Sequence, residues 1–408
     1  MASLLTPKRE CQCCAESNGV CSGEVVVITT PQSVEVFVRC GPMIEDGSPR
    51  DQAARFYACL PRLLDRAGAK MSDVVLERVF FRDIEHDFET FQEVRRDAYA
   101  DAGVIGEELP AASYVNQPPC RTQQAFELQV QAVIPNGESK VIVESFPEVA
   151  PYTTKKIVHI GDRRHLYVMN INGVRSDGSI PRDFREQSDA MFERSLPELT
   201  VHDATFPHVL RTWCYLDDID RDYDEFNRSR NAFFAREHVK RLPASTGIRA
   251  GLYPPGVLCS FDLYSLLDPD GVEIEVMHTP TLNEADEYGS SFSRGMKVVL
   301  PEKTVLYISG TASVDEQGAT VHLDDVRKQV ERMLLNVQEL LRAQESTFAD
   351  VVQVITYLKR RSYLPTFVDV WQQWGMAGLP NSFVEAGVCR PDLLCELEAI
   401  AIIPRNGN

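Results

Sequence analysis

Two glutamates lie close together near the C-terminal end of the chain, in the stretch CELEAIAIIP (395–404). The apolar residues around them predict a β-strand, in which alternate side chains point to opposite faces. Glu396 and Glu398 then share one face of a core strand. Neighbouring carboxylates repel each other and resist burial, so one of them must find a cationic partner or keep its proton. A pair of this kind can supply a general acid, provided that a cleft lies opposite it.

The overall composition limits the classes of function. The 408 residues carry a net charge of −18, which disfavours binding to the phosphate backbone of nucleic acids. A small anionic metabolite is still a compatible partner, because a few arginines in a pocket can override the net charge. The sequence has no apolar run near the ~18 residues of a membrane span, and its N-terminus, MASLLTPKREC, lacks the apolar core of a signal peptide. We therefore predict a cytoplasmic protein with no membrane partner.

The chain has eleven cysteines, four of which cluster near the N-terminus in CQCCAESNGVCSG. The four are Cys11, Cys13, Cys14 and Cys21. Their spacing matches no standard zinc pattern and no histidine follows nearby, so a reduced tail (1–24) is favoured over a metal or redox site. The other seven cysteines stand among apolar residues, and we predict that they are reduced core residues.

One pattern of residues occurs three times along the chain. A glutamine precedes a valine by 22 positions in each copy: Gln52 and Val74, Gln187 and Val209, Gln329 and Val351. An aromatic residue follows that valine by six positions each time: Phe80, Tyr215 and Tyr357. Equal spacing in three places indicates an internal repeat.

Each copy predicts the same order of elements. Two strands form a hairpin at a Gly turn (VRSDGSI, VDEQGAT), and a helix, a strand, a second helix and one or two closing strands follow. In the third copy the first helix has an apolar stripe of Val330, Met333, Leu334, Val337, Leu340 and Leu341. The predicted fold class is therefore α+β, with ββαβαβ modules at 25–136, 155–278 and 292–404. One module alone leaves a sheet face uncovered, so we expect the three sheets to turn inward as an intramolecular pseudo-trimer.

The modules and the closing CELEAIAIIP resemble the RidA/YjgF family, formerly labelled endoribonuclease L-PSP. Its members are homotrimers of one such module with clefts between subunits. A narrower resemblance, over roughly 155–404, is to the chorismatases, which remove the enolpyruvyl group of chorismate as pyruvate. It rests on RTWCYLDDIDRDYDEFNRSRNAFF (211–234), LPASTGI (242–248), YGSSFSRG (288–295), ISGTASVDEQGATVHLDD (308–325) and VCRPDLLCELEA (388–399).

The chorismatase resemblance implies that Glu396 is the catalytic acid, with Cys389 seven residues before it. Protonation of an enol ether at its methylene carbon gives an oxocarbenium ion that water can capture. Burial beside Glu398 would raise the pKa of one carboxyl, so that it keeps its proton near neutral pH. The alternative is that both carboxylates only bind arginines or backbone amides at a seam between modules. Cys389 is either a cleft wall or a proton-relay group, and an inert buried thiol is the alternative.

Two arginines are candidates for recognition of a substrate carboxylate. A guanidinium binds a carboxylate through two parallel hydrogen bonds. Arg294 stands in FSRG and Arg211 opens RTWCY. For both the alternative is a salt bridge between modules, and this alternative is favoured for Arg211. Glu398 and Tyr215 complete the predicted binding face, although a core position is the favoured alternative for Tyr215, because all three modules carry an aromatic residue there.

A second enzyme hypothesis starts from the arginine that imine deaminases of the RidA family carry in P-x-R-[ST]. Arg121, in PPCRT, matches this motif in module 1, and Ser245 and Asn381 take the corresponding place in modules 2 and 3. Arg121 of one module and Glu396 of another could together form a composite cleft.

The acidic face of module 3 also differs from its predicted counterpart. We align Gln129 and Gln131 of module 1 with Glu396 and Glu398. Of three formerly equivalent clefts, we then expect one to keep a catalytic role and the others to become structural.

We therefore expect a chorismatase-like hydrolase or lyase that acts on an enol ether or enamine of a small carboxylic acid. The alternatives are an imine/enamine deaminase and a metabolite-binding protein with a vestigial cleft. The sequence contains no phosphate-binding loop, dinucleotide fingerprint or zinc-protease motif, so no cofactor and no metal are predicted. Because the modules are covalently joined, we expect a monomer or a weak homo-oligomer.

Overall fold

The computed structural model describes residues 8–10, 21–42, 47–284 and 291–405. Within these ranges the chain forms three six-stranded sheets and six α-helices, with two helices to each sheet. The elements fall into three successive modules that have the same order of strands and helices.

The bounds of the elements are as follows. Module 1 contains β1 (Lys8–Glu10), β2 (Cys21–Thr29), β3 (Ser33–Pro42), α1 (Pro49–Asp65), β4 (Val74–Phe81), α2 (Ile84–Asp101), β5 (Ala111–Val115) and β6 (Phe126–Pro135). Module 2 contains β7 (Val141–Ser145), β8 (Thr154–Ile160), β9 (Arg163–Asn172), α3 (Phe184–Thr200), β10 (Val209–Leu216), α4 (Ile219–Arg236), β11 (Ala244–Arg249) and β12 (Cys259–Leu266). Module 3 contains β13 (Glu273–Val276), β14 (Gly295–Val299), β15 (Lys303–Ala312), α5 (Val326–Arg342), β16 (Val351–Leu358), α6 (Leu364–Gln373), β17 (Asn381–Glu385) and β18 (Cys395–Pro404).

The strand order is identical in the three sheets: β1-β2-β3-β6-β4-β5, β7-β8-β9-β12-β10-β11 and β13-β14-β15-β18-β16-β17. Neighbouring strands are antiparallel except for β4–β5, β10–β11 and β16–β17, which are parallel. The predicted α+β fold with three repeated modules is confirmed. The structure adds an edge strand at the start of each module, and β7 lies between the ranges predicted for modules 1 and 2.

The hairpins that open modules 2 and 3 turn at different places from the predicted ones. β8 and β9 pair on either side of residues 161–162, so the predicted turn VRSDGSI follows β9. β14 and β15 pair on either side of residues 300–302. The Gly turn VDEQGAT follows β15, where Val314 and Thr320 form an isolated bridge. The apolar runs that pair lie before this turn, so the turn leads from β15 towards α5.

Local sequence signals explain where the helices begin and which face they bury. Ser48 and Asp51 form a capping box at α1, and an aspartate accepts a backbone N–H bond at the start of α2, α3, α4 and α5. The apolar stripe predicted for α5 is confirmed, because all six of its residues are fully buried.

The three modules close into a ring. One isolated bridge joins each pair of modules: Asn116 with Gly251, Ala244 with Ser293, and Pro119 with Val384. The shared aromatic residues Phe80, Tyr215 and Tyr357 belong to one buried cluster that spans all three modules. The inner sheet faces therefore cover one another, as expected for an intramolecular pseudo-trimer.

Six of the seven scattered cysteines are not disulfide-bonded: Cys40, Cys120, Cys214, Cys259, Cys389 and Cys395. Cys59, in α1, is disulfide-bonded, so the prediction of a reduced thiol is wrong at this position. Cys11, Cys13 and Cys14 lie outside the described residues, and Cys21 begins β2. Among the described helices, none is long and apolar enough to cross a membrane.

Candidate active site

A cleft opens between modules 2 and 3. It has a volume of about 240 Å³, and it is lined by α4 and β11 on one side and by β15, β18 and the loop before β18 on the other. The structure brings three of the predicted site residues together here, namely Glu396, Cys389 and Arg294. Arg230 of α4 and Arg390 also line the cleft.

The Glu396 carboxyl group lines this cleft and is only 4% exposed. Gly310 makes room for it, because a Cβ atom at this glycine would lie 2.0 Å from Glu396 Oε1. In the part of the chain that the structure describes, no group donates a hydrogen bond to this carboxyl. Burial, and then the charge of Glu398, raise the pKa of Glu396 to about 8 against the opposing fields of Arg294 and Arg211. Glu396 is therefore protonated at neutral pH and can donate a proton.

Glu398 has the opposite surroundings, although it stands on the same face of β18. Arg211 Nη2 donates to its Oε2 at 2.9 Å, and Trp213 Nε1 donates to its Oε1 at 2.7 Å. Both donors come from β10 of module 2. The two neighbouring glutamates thus differ in kind, since Glu398 is an ion-paired carboxylate and Glu396 is an unpaired acid.

The cleft is basic, because three arginines line it. Arg294 donates through Nε and Nη2 to the backbone and side-chain oxygens of Asn283, at 2.8 and 2.9 Å, and these bonds orient its guanidinium. Arg230 Nη2 donates to Asn227 Oδ1 at 2.6 Å, while its buried Nε has no hydrogen-bond partner among the described residues. Arg390 Nη1 donates to a backbone carbonyl in the turn after β15 at 2.5 Å. An arrangement of this kind suits an anion that carries more than one carboxylate.

Cys389 is a free, partly buried thiol in the wall of the cleft. Burial, with a contribution from Glu396, raises its pKa to about 12. Cys389 therefore stays protonated at neutral pH and is not an activated nucleophile.

Arg211 and Tyr215 lie behind the cleft and do not line it. Arg211 donates to Thr246 Oγ1 at 2.6 Å in addition to Glu398, and it is 1% exposed. The Tyr215 hydroxyl donates to Asp262 Oδ2 at 3.2 Å, and the residue is equally buried. The salt bridge and core alternatives describe the observed positions of these two side chains, and their role in substrate binding stays a prediction.

Arg121 does not line the cleft between modules 2 and 3. Its side chain is exposed between β5 and β6, and its carbonyl oxygen accepts a hydrogen bond from Arg82 Nη2 at 2.7 Å. Strand register shows which residue of module 1 is the true counterpart of Ser245 and Asn381. The residue three positions before the shared aromatic pairs with Ser245 in module 2, with Asn381 in module 3 and with Ala112 in module 1. The predicted alignment of Arg121 with this position is therefore wrong.

Register also identifies the counterpart of Glu396 in module 1. Tyr357 pairs with Glu396 across β16 and β18, and Phe80 pairs with Glu127 across β4 and β6. The predicted alignment of Gln129 with Glu396 is therefore wrong by two positions, because Glu127 is the counterpart of Glu396. Module 1 therefore has an acidic residue where Glu396 stands in module 3.

Comparison with known protein families identifies the family of this chain. The endoribonuclease L-PSP family model matches residues 17–134 and 289–403, which together make up more than half of the chain. The protein therefore belongs to the endoribonuclease L-PSP family, and the predicted RidA/YjgF resemblance is confirmed.

Individual proteins agree with this assignment. A RutC family protein of Pyrococcus abyssi is 26% identical over 97 residues, which cover 24% of this chain and 76% of that protein. A RutC family protein of Pyrococcus horikoshii is 28% identical over 97 residues, which cover 24% and 77%. A crystal structure of chorismatase matches with a TM-score of 0.61 at 19% identity and covers 92% of this chain and 99% of that one. This chain therefore shares its fold with that chorismatase over nearly its whole length.

Proposed function

We propose that this protein is a chorismatase-like hydrolase or lyase, which protonates an enol ether or enamine of a small carboxylic acid with Glu396 as the general acid. The observation that carries the proposal is a buried carboxyl group, with a pKa raised to about 8, in a cleft lined by three guanidiniums. Nearby cations normally drive a carboxyl group to ionise, but the burial of Glu396 outweighs them. The cleft can thus bind an anion and protonate it at the same time.

The chemistry of a chorismate-type substrate fits this arrangement. The Glu396 proton passes to the methylene carbon of the enolpyruvyl group, and positive charge develops on the carbon that carries the ether oxygen. Water adds to that carbon and gives up a proton, which restores the acid. The resulting hemiketal breaks its bond to the ring oxygen, which releases pyruvate and leaves a hydroxyl group on the ring.

The arginines supply substrate recognition in this proposal. Arg294 and Arg230 are oriented by Asn283 and Asn227, so each presents a fixed guanidinium to a carboxylate. A bound carboxylate also offsets the positive field of Arg294 on Glu396. Because that field lowers the pKa of the acid, substrate binding should hold the proton on Glu396 more firmly.

The deaminase alternative has less support. It needs an arginine at the strand position that Ala112, Ser245 and Asn381 occupy in the three modules. Arg121, which suggested it, is exposed and lies outside the cleft lining.

The test is pyruvate release from chorismate by the purified protein, followed with a lactate dehydrogenase couple. We expect saturable pyruvate formation that Glu396→Gln abolishes without loss of fold, as judged by circular dichroism. Arg121→Gln is the matched control, since it alters an exposed residue and should leave the rate unchanged. Absence of pyruvate from the wild-type protein at saturating chorismate would contradict the proposal. Calorimetry with chorismate would then show whether the cleft only binds it.

A further inference from the structure

Module 1 supplies none of the described residues that line the cleft, yet one of its arginines reaches the carboxylate beside the acid. Arg78 Nη1 lies 3.8 Å from Glu398 Oε1, and Nη2 lies 3.7 Å from Asp262 Oδ2. The guanidiniums of Arg78 and Arg211 both lie over the Trp213 indole, at 4.5 and 4.7 Å from the ring centroid. These five side chains come from all three modules and form one buried network.

Arg78 contributes charge to Glu398, whereas the other neighbours contribute hydrogen bonds. Trp213 and Arg211 already donate to the two carboxylate oxygens, at 2.7 and 2.9 Å. The separations of Arg78 from Glu398 and Asp262 exceed hydrogen-bonding distance. With Glu396 protonated, the two guanidiniums balance the Glu398 and Asp262 carboxylates. Removal of Arg78 would leave a net negative charge next to the acid, in surroundings that screen it poorly.

We propose that Arg78 is a positioning residue for the acid: its positive charge holds the Glu398 carboxylate in place beside Glu396, so that module 1 acts on the acid of a cleft that it does not line. This inference rests on the proposed function and extends it from two modules to three. It assigns module 1 a role in the chemistry as well as in the fold.

The charged and titratable groups around Glu396 must all be considered, because the measured titration belongs to the coupled set. They are Glu398 and Cys395 on β18, Tyr357 on β16, Arg211 on β10, Arg294 before β14, Cys389 and Arg390 in the loop before β18, and Tyr223, Asp224 and Arg230 on α4. Arg78 acts on Glu396 through Glu398. Loss of one positive charge makes protons harder to remove from both carboxyls, so the last proton of the pair should leave at higher pH.

The experiment compares wild type, Arg78→Met and Arg78→Lys by two independent titrations. The first is the alkaline limb of the pH profile of kcat for pyruvate release. The second is the ¹³C NMR titration of the Glu396 carboxyl in glutamate-labelled protein, assigned by the loss of its signal in Glu396→Gln. Methionine removes the charge at similar length, so both titrations should move up by about one pH unit. Lysine keeps the charge and should restore most of the wild-type value.

Arg39→Met is the matched control. It removes another buried arginine of module 1, which pairs with Glu127, and it does not contact the Glu398 network. We expect this variant to be less stable but to keep both titrations in place. Equal shifts in Arg78→Met and Arg39→Met, or no shift in a folded Arg78→Met, would overturn the inference. If Arg78→Met does not fold, Glu398→Gln gives the opposite test, because removal of the negative charge must move the titrations down.

The two titrations also separate this inference from the proposed function. If the wild-type protein releases no pyruvate but the carboxyl titration moves as expected, the proposed reaction is wrong and the role of Arg78 stands. If turnover depends on Glu396 but the Glu396 titration does not shift in Arg78→Met, the proposed reaction stands and the inference fails.

Discussion

Glu396 and Glu127 occupy equivalent places in modules 3 and 1, but their surroundings differ. Arg39 on β3 donates to Glu127 through Nε at 2.9 Å and Nη2 at 2.8 Å. In module 3 the corresponding part of β15 contains a register shift and carries Gly310, so the Glu396 carboxyl occupies the open space. One glutamate is therefore half of an ion pair, and the other is a protonated acid that faces a cleft.

The comparison shows that the residue on the neighbouring strand determines whether a buried glutamate forms an ion pair or keeps a raised pKa. An arginine there donates to both carboxylate oxygens and fixes the side chain in an ion pair. A glycine leaves the Glu396 carboxyl without a donor, and burial then raises its pKa. Module 2 gives a third outcome, because Ser260 pairs with Tyr215 where the other modules have a glutamate. Of the residues at these three positions, Glu396 is a carboxyl group that lines the cleft between modules 2 and 3, whereas Glu127 is ion-paired with Arg39.

Activity should depend on one of these glutamates and not on the other. Glu396→Gln removes the donated proton, and we expect kcat for pyruvate release to fall at least about 1,000-fold, as for loss of a general acid. Glu127→Gln should leave kcat within about two-fold of wild type, because the two sites are separate and share no partner. A comparable loss in both variants would show that the two positions are not functionally distinct.

Stability should show the reverse dependence. Glu127→Gln leaves the buried Arg39 without its bidentate carboxylate, and we expect a loss of about 3 kcal/mol in the free energy of unfolding. Glu396→Gln should not destabilise the fold, because the amide needs no proton on folding whereas the buried acid takes one up at pH 7. Its free energy of unfolding at pH 7 should stay the same or rise, by up to about 3 kcal/mol. Urea denaturation of both variants measures the difference. An unchanged midpoint for Glu127→Gln would argue that its ion pair adds little to the fold.

Gly310 provides a way to break the acid site without touching the acid. Its backbone conformation is open to any residue, but a Cβ atom would lie 2.0 Å from Glu396 Oε1. Gly310→Ala should push the carboxyl aside and lower kcat about 100-fold, as for a misplacement of about 1 Å. Turnover assays on the folded variant test this expectation. Wild-type activity would mean that the acid does not need the space above Gly310.

The unpaired acid should also appear in the pH dependence of stability. Burial raises the pKa of Glu396 from 4.5 to about 8, so between these values the folded chain holds a proton that the unfolded chain has released. Its contribution to stability therefore falls as pH rises, by about 1.4 kcal/mol per pH unit. Unfolding of wild type and Glu396→Gln between pH 5 and 8 isolates this contribution. Parallel curves for the two proteins would place the acid's pKa near its ordinary value.

Features with a clear period in the sequence could be predicted from it. Strand alternation placed Glu396 and Glu398 on one face, and helical spacing gave the buried stripe of α5. The repeat gave the three modules, because equal spacing survives even where residue types have changed. The arginine expected opposite the acidic face was also right in kind, since Arg211 binds Glu398.

Features that depend on exact register could not be predicted. A shift of two residues keeps every side chain on its predicted face, so the pattern could not distinguish Gln129 from Glu127 as the counterpart of Glu396. The role of Gly310 depends on a neighbouring strand and leaves no trace in local sequence. Arg230 and Arg390 stood within quoted motifs, but only the packing of α4 against module 3 shows that they share a cleft.

The closed ring of modules has a consequence for the freedom of individual positions. In an assembly of three identical subunits, every substitution is made three times, so an arginine like Arg39 would silence all clefts together. Here each position occurs once. One copy of the glutamate can serve the fold and another can serve the reaction. Covalent joining thus removes the requirement that the three modules be identical. Residues that stabilise the fold and residues that carry out the reaction can then occupy equivalent positions in different modules.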